Sequence, residues 1–414
     1  MQSNLSPADT SWVLISTALV LLMVPGLALF YAGMTRLKNV LNVLMQSFVA
    51  LSVVSVLWFT LGYSLSFDKG TTPFLGGFNY LFLNNVKQDS FTLNGTAITI
   101  PHILFMSFQM MFAIITPALI SGAIIDRMKF VAYVIFIALW SLIVYSPLAH
   151  MVWGEGGYFV GKALDFAGGT VVHISSGFSA LALAYLLGKR KLAPTEDARP
   201  HNLPMTLLGT GLLWFGWFGF NAGSALGANG LAAHALTTTH LAASTAGLVW
   251  LLLEWLTIKK PTALGFASGA VAGLVAITPG AGFVTPLSAI IIGAIVPFIS
   301  YGMIKLKNKL GYDDSLDVFA VHGCGGLWGA IATGLFATKA VNPAGLDGVF
   351  AGNNILLASQ LSSALIAAVL GLLGTTLIYL FLKLILKSVR VSQKEEQIGL
   401  DVTQHGEEAL VLDN

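Results

Sequence analysis

Two histidines stand inside long apolar runs: Val172-His173 is followed by Gly177, and Val321-His322 by Gly325 and Gly326. An ionisable side chain in lipid is costly and ordinarily faces a bundle interior or a polar pathway. A neutral imidazole in such a place offers one donor and one acceptor to a small ligand. His173, Gly177, Ala180 and Ala184 share one helix face, as do His322, Gly325, Gly326 and Gly329. Each imidazole therefore sits on a small-residue stripe that permits close helix packing beside a narrow lumen. The plainer alternative is that each histidine hydrogen-bonds across a helix interface and only fixes packing. By hydropathy limits His173 falls near the outer end of its run and His322 near the inner end of its own, so contact between them does not follow from sequence.

A second set of residues is aromatic. Phe108 and Phe112 are one helical turn apart, and Trp217, Phe220 and Ser224 fall at i, i+3 and i+7, so both sets form stripes. Stripes of this kind are ordinarily core. If they meet at one mouth, their ring faces and the Ser224 hydroxyl suit a small cation losing its water, with cation–π attraction reaching about 2 kcal/mol once desolvated. Trp153 follows His150-Met151-Val152 just outside an apolar run, where tryptophan usually joins the interfacial belt. Asp165 precedes Ala167-Gly168-Gly169-Thr170, and its carboxylate reads first as a helix cap and second as negative charge at the mouth. His102, His150, His201, His234, His240 and His405 are assigned no site, and Asn94-Gly95-Thr96 is a formal glycosylation sequon of the kind common by chance.

The elements that must position these residues are membrane spans of about 20 apolar residues each. Candidates fall near 11–33, 40–66, 101–125, 130–150, 168–187, 203–222, 238–258, 263–279, 287–305, 318–338 and 355–382, about eleven in all. With the N-terminus outside, 17 of the 21 Lys and Arg collect on the inner face, leaving Lys69, Lys87, Lys162 and Lys339 outside. That asymmetry supports N-outside, C-inside and an odd number of spans. The basic, proline-containing connection Gly188 to His201 reads as a joint between two five-helix halves, about 11–187 and 203–338. An odd number of spans per half inverts the second half, and it places His173 and His322 at matching positions. The last helix, about 355–382, is extra; residues 1–390 form the transmembrane domain and 391–414 a cytoplasmic tail.

The whole chain has 414 residues, 56% hydrophobic and only 10% charged, against roughly 25% charge in soluble domains. Its formal net charge of +2 gives no field for nucleic acid. Cys324 is the only cysteine, which excludes an internal disulfide and any cysteine-built zinc or iron–sulfur site. No metal and no cofactor is expected. The first ten residues carry no Lys or Arg, so the first run reads as a mature span rather than a signal peptide.

The segment Asp165-Phe166-Ala167-Gly168-Gly169-Thr170-Val171-Val172-His173-Ile174 resembles the signature of Amt/Mep/Rh ammonium transporters. Trp217 to Ser224, Asp313 to Gly323 and the early Phe30-Tyr31-Ala32-Gly33 extend the resemblance along essentially the whole chain. It implies an eleven-helix inverted repeat, a homotrimer with one pore per subunit, and twin histidines His173 and His322 together in mid-pore. It further implies an ammonium recruitment site at Phe112, Trp153 and Ser224 supported by Asp165, and gate rings at Phe112 and Phe220 flanked by Phe108 and Trp217. With both histidines present the chain is similar to the Amt branch; some fungal relatives replace the first by Glu. The tail from Glu395 to Glu407 is similar to that of bacterial members regulated by PII-type signalling proteins, the alternative being an unstructured acidic tail.

The expectation is therefore a multi-pass protein of the plasma (inner) membrane that takes up ammonium and methylammonium and is not an enzyme. Two rivals stand beside it. One is an ammonium sensor with little flux that gates the tail; the other is a membrane redox protein holding one b-type haem between His173 and His322.

Overall fold

The computed structural model describes residues 4–191 and 199–410; residues 192–198 of the expected joint and 411–414 of the expected tail lie outside the described part. In lipid every backbone N–H and C=O has to be satisfied within its own segment, which is why the apolar runs coil into helices. Among the described residues ten are long and apolar enough to cross a membrane: α1 Pro7–Met34, α2 Leu37–Phe67, α3 His102–Ala123, α4 Phe130–Trp153, α5 Gly169–Leu187, α6 Leu203–Gly223, α7 Gly230–Ile258, α9 Pro286–Leu310, α10 Phe319–Phe336 and α11 Ile355–Leu386. Between α7 and α9 lies a shorter apolar helix, α8 Ala263–Ile277. At 15 residues it is about 22 Å long, less than a hydrocarbon core. It is enclosed by other helices over most of its surface, so lipid does not set its length.

Helix starts are written locally. Ser6, Asn202, Asn229, Thr262 and Thr285 each accept a backbone N–H of the first turn they precede. Asn229 explains one departure from the expected limits. α7 begins at Gly230 rather than near 238, because its first turns carry His234, Thr237 and Thr238, which lower hydropathy without breaking the helix. Their polar groups are used: His234 Nε2 bonds the Val284 carbonyl at 2.8 Å, and Thr238 Oγ1 donates to the Ala281 carbonyl at 2.7 Å. A second departure is Trp153, expected just beyond the fourth span and found as the last residue of α4.

The two halves meet head to tail. Gly223 lies against Ser16, Gly216 against Met23, Gly209 against Phe30 and Gly33 against Thr206, so α1 and α6 run antiparallel at backbone-contact distance. The fifth helix of each half crosses the other in the same sense. A β-carbon on Gly177 would lie 2.1 Å from the Gly323 nitrogen, and one on Gly326 would lie 3.0 Å from the His173 Cβ. Antiparallel pairing of first with first and fifth with fifth is what an inverted repeat produces.

The chain ends lie at opposite ends of the bundle. Ser6 N–H donates to the Thr99 carbonyl beside one end of α1, here called the far face. At the other end of α1, residues 391–410 dock as an ordered segment, and this is the tail face. Asp401 accepts the Leu41 and Asn42 N–H groups at 3.0 and 2.8 Å, capping α2. Glu396, buried in a short helix α12 Gln393–Ile398, accepts Arg390 at 2.7 Å and the Lys191 N–H at 2.5 Å. Leu400 N–H donates to Asn39 Oδ1 and Gln404 Oε1 accepts the Phe130 N–H. The unstructured-tail alternative is thereby overturned for these residues: acidic groups that read as solvated are anchored on helix starts and arginines. Nearby, Arg36 pairs with buried Asp126 at 2.8 Å. Burial raises the Asp313 carboxyl, but Arg127 at 3.3 Å and Arg190 at 2.9 Å outweigh it and hold the pKa at about 2.

On the far face one hairpin, β1 Phe91–Leu93 and β2 Thr96–Ile98, is the only sheet among the described residues. Its two-residue turn is Asn94-Gly95, both at positive φ, as a type I′ hairpin requires.

Candidate functional site

The two histidines are brought together. His173 lies on a π-helical turn, Gly169–Ile174, that opens α5, and His322 on another, Phe319–Cys324, that opens α10. Such turns are rare in helices and recur at functional sites. The Nδ1 atoms are 3.2 Å apart, the ring centroids 5.2 Å, and both side chains are buried. One shared hydrogen bond requires one Nδ1 to donate and the other to accept. The donating ring then keeps a bare Nε2 and its partner carries Nε2–H, so the pair presents one acceptor and one donor. The His173 Nε2 has no protein partner.

Each π turn is held by a carboxylate eight residues before its histidine. Asp165 accepts four backbone N–H groups: Gly168 and Gly169 on Oδ1 at 2.8 and 2.6 Å, Thr170 and Val171 on Oδ2 at 2.9 and 3.0 Å. Gly168, at φ +113°, makes the reversal that folds this loop back on the carboxylate. Asp314 stands in the same relation to His322: its Oδ2 accepts the Phe319 N–H at 2.7 Å, while Oδ1 is buried without a partner. Sequence reasoning missed Asp314; the repeated eight-residue interval was the signal that could have found it.

Above the histidines, toward the far face, opens a cavity of about 370 Å³ lined by Phe112, Trp153, Asp165 and Ser224 together with Phe105 and Gln109. Trp153 stands edge-on to Phe112 with centroids 6.3 Å apart, and its Nε1–H donates to the Asp165 carbonyl at 2.8 Å. The Ser224 hydroxyl donates to the Phe220 carbonyl at 2.8 Å, leaving its lone pairs available. Burial pushes the Asp165 carboxyl up to about 6, against the four N–H donors that favour its anion. Phe112 lines this cavity and packs on Phe220 beneath it, 4.3 Å between centroids. Below it a space of only about 10 Å³, near the least that holds one water, is lined by Phe220, Trp217, His173 and His322 among apolar side chains. His322 also lines the next cavity, about 180 Å³, which opens toward the tail face past Tyr31, Ser268 and Asp317.

Two residues expected at the gate are placed differently. Phe108 stands behind Phe112 at 5.0 Å and does not line these cavities; it backs the ring rather than closing the path. Trp217 lies below the ring pair, stacked on His173 at 5.4 Å, with Nε1–H donating to Thr278 Oγ1. Two imidazoles in direct contact leave no gap for the iron and porphyrin of the haem alternative.

A model of the Ammonium Transporter Family matches residues 11–410. The chain belongs to the ammonium transporter family. It is 50% identical over 404 residues to an ammonium transporter of Bacillus subtilis, covering 97% of this chain and 98% of that protein. Its fold is similar to the crystal structure of Candida albicans Mep2, with a TM-score of 0.88 at 36% identity, covering 98% of this chain and 91% of that one. It is also similar to a solved structure described as a sensor Amt protein, with a TM-score of 0.86 at 30% identity, covering 96% and 98%. As a member of this family the chain is a multi-pass membrane transporter.

Three of the remaining histidines of this transporter are tied to neighbouring elements by hydrogen bonds. His102 Nε2 meets the Tyr63 hydroxyl at 2.6 Å, His150 Nδ1–H donates to the Ser66 carbonyl, and His405 reaches Asn42 Oδ1 at 3.1 Å. Among the described residues no cluster of three metal-ligating side chains exists.

Proposed function

We propose that the protein imports ammonium by capturing the cation at the far-face cavity, removing its proton near Phe112 and Phe220, and passing ammonia along His173 and His322. The observation that carries this reading is one continuous arrangement: an aromatic cavity, a closed ring pair, and a dry passage whose polar atoms are two imidazoles. Ring faces of Trp153 and Phe112 replace water around a cation, worth up to about 2 kcal/mol when desolvated. Ser224 supplies an acceptor and Asp165 a negative charge. Beyond the rings a bare cation pays several kcal/mol of desolvation, whereas neutral ammonia needs only a donor and an acceptor. K+ has no proton to shed and stays out.

In this reading the far face is outside and the tail face cytoplasmic, the membrane is the plasma membrane, and the assembly is a homotrimer with one pore per subunit. The docked tail, on a face rich in Lys and Arg, is the place for a PII-type signalling partner. The same docking favours a second reading, a sensor in which ammonium occupancy is relayed to the tail with little flux. Purified protein in sealed liposomes, given labelled methylammonium, separates them. A transporter accumulates or equilibrates the label, keeps doing so after removal of residues 391–414, and is not inhibited by equimolar K+. Absence of flux with ammonium binding intact would leave the sensor.

A further inference from the structure

The far-face hairpin reaches across to the end of α4 and grips it. A helix leaves its last carbonyls without intrahelical partners, and α4 ends at Trp153, the wall of the far cavity. Gly154 N–H is directed to the Ala149 and His150 carbonyls and Phe159 N–H to that of Met151. The Trp153 carbonyl is taken by the Asn94 side chain, whose Nδ2–H donates to it at 3.2 Å. Asn94 Oδ1 accepts the Gly156 N–H at 3.0 Å, and Asn94 N–H donates to Glu155 Oε2 at 2.5 Å. Three bonds thus tie one residue of the hairpin tip to the turn 153–156. Leu93 and Asn94 also line the far cavity beside Trp153. The tip can hold this pose because Asn-Gly adopts the positive φ of a tight I′ turn without strain. Asn94 heads the sequon noted in the sequence, but both ends of its amide are committed to backbone.

We propose that Asn94 is a positioning residue for cation capture: it fixes the Trp153 ring against Phe112 and so sets the affinity and size limit of the far mouth. This rests on the ammonium-uptake reading. Trp153 is the last residue of its helix, and its indole is held from the other side by Nε1–H to the Asp165 carbonyl and by packing beside Gly168 and Phe112. Without Asn94 the terminal carbonyl is released, the ring has room to tilt, and the mouth widens. The rings below, the histidines and the helix packing are untouched, so the effect belongs to capture and not to passage.

Asn94→Gly keeps the turn, since glycine takes positive φ freely, and deletes both side-chain bonds. Asn94→Asp keeps the turn and the Gly156 contact but sets an oxygen against the Trp153 carbonyl. Wild type and both variants are reconstituted at equal folded amounts, and methylammonium uptake is measured with and without dimethylammonium. The expected result is a KM raised about three- to tenfold in Asn94→Gly and by less in Asn94→Asp, whose new carboxylate at the mouth also attracts the cation. Vmax stays at wild type, and dimethylammonium becomes a stronger inhibitor relative to methylammonium. A hairpin that serves only the fold would lower Vmax and yield with KM and size preference unchanged, and that outcome, or wild-type constants throughout, overturns the proposal. A wild type without uptake overturns the transport reading instead.

Discussion

At the scale of single residues, the proposed passage of ammonia rests on the contact between His173 and His322. His173→Asp and His322→Glu, singly and together, place in the dry passage a group that is either charged or held protonated at high cost. Altered conduction with K+ now admitted is the expected outcome, read as K+ flux in sealed liposomes; stable variants that conduct normally and exclude K+ would return both histidines to packing. Asp165 offers a pH test. Its carboxyl, raised to about 6 by burial, is charged above that pH and neutral below it. Ammonium itself stays protonated across this interval, so the KM for methylammonium should rise as external pH falls from about 7 to 5. Asp165→Asn should show the high KM at every pH, with no step. Both histidines were visible in the sequence because each breaks an apolar run; their contact was not. Hydropathy marks where helices begin, whereas the loops carrying Asp165 and Asp314 enter the bundle from opposite faces, so that α5 and α10 each begin deep inside it.

At the scale of elements, most boundaries were legible from apolar length and capping residues, and the misses came from polar groups with distant partners. The first turns of α7 looked too polar to continue a span until His234 and Thr238 found carbonyls near residues 281–284. The tail was the least legible: Asp401 and Leu41 are 360 positions apart, and nothing local in either says they bond. Removing that cap with Asp401→Ala should cost about 1 kcal/mol and loosen the tail, seen as faster proteolysis within residues 391–410 while the spans stay intact. The crossing of α5 and α10 is stricter. With the Gly323 nitrogen 2.1 Å from a β-carbon at position 177, Gly177→Val must push two backbones apart. Overpacking of this kind costs about 1–3 kcal/mol or more, and the expected readout is a lower melting temperature together with lost uptake.

At the scale of the molecule, the antiparallel pairing of the halves and the extra α11 put the two ends of the chain on opposite faces. In a Cys324→Ala background, cysteines introduced at Ser6 and at Glu407 should react with an impermeant maleimide from opposite sides of a sealed vesicle; labelling of both from one side would refute the N-outside, C-inside arrangement. The same pairing was half visible in the sequence, as two histidines at matched positions, and complete only when Asp314 joined Asp165. That matched pair of carboxylate and imidazole has a consequence for direction. A two-fold related centre looks alike from either side, so the histidine pair by itself has no means to act as a diode. The ring pair sits on one side only, but a lid at one end of a tube slows both directions equally when it has no energy source of its own. In the reading where neutral ammonia alone crosses, net movement is set by the concentrations the two compartments maintain, and reversing a methylammonium gradient across the same liposomes should reverse the direction of flux.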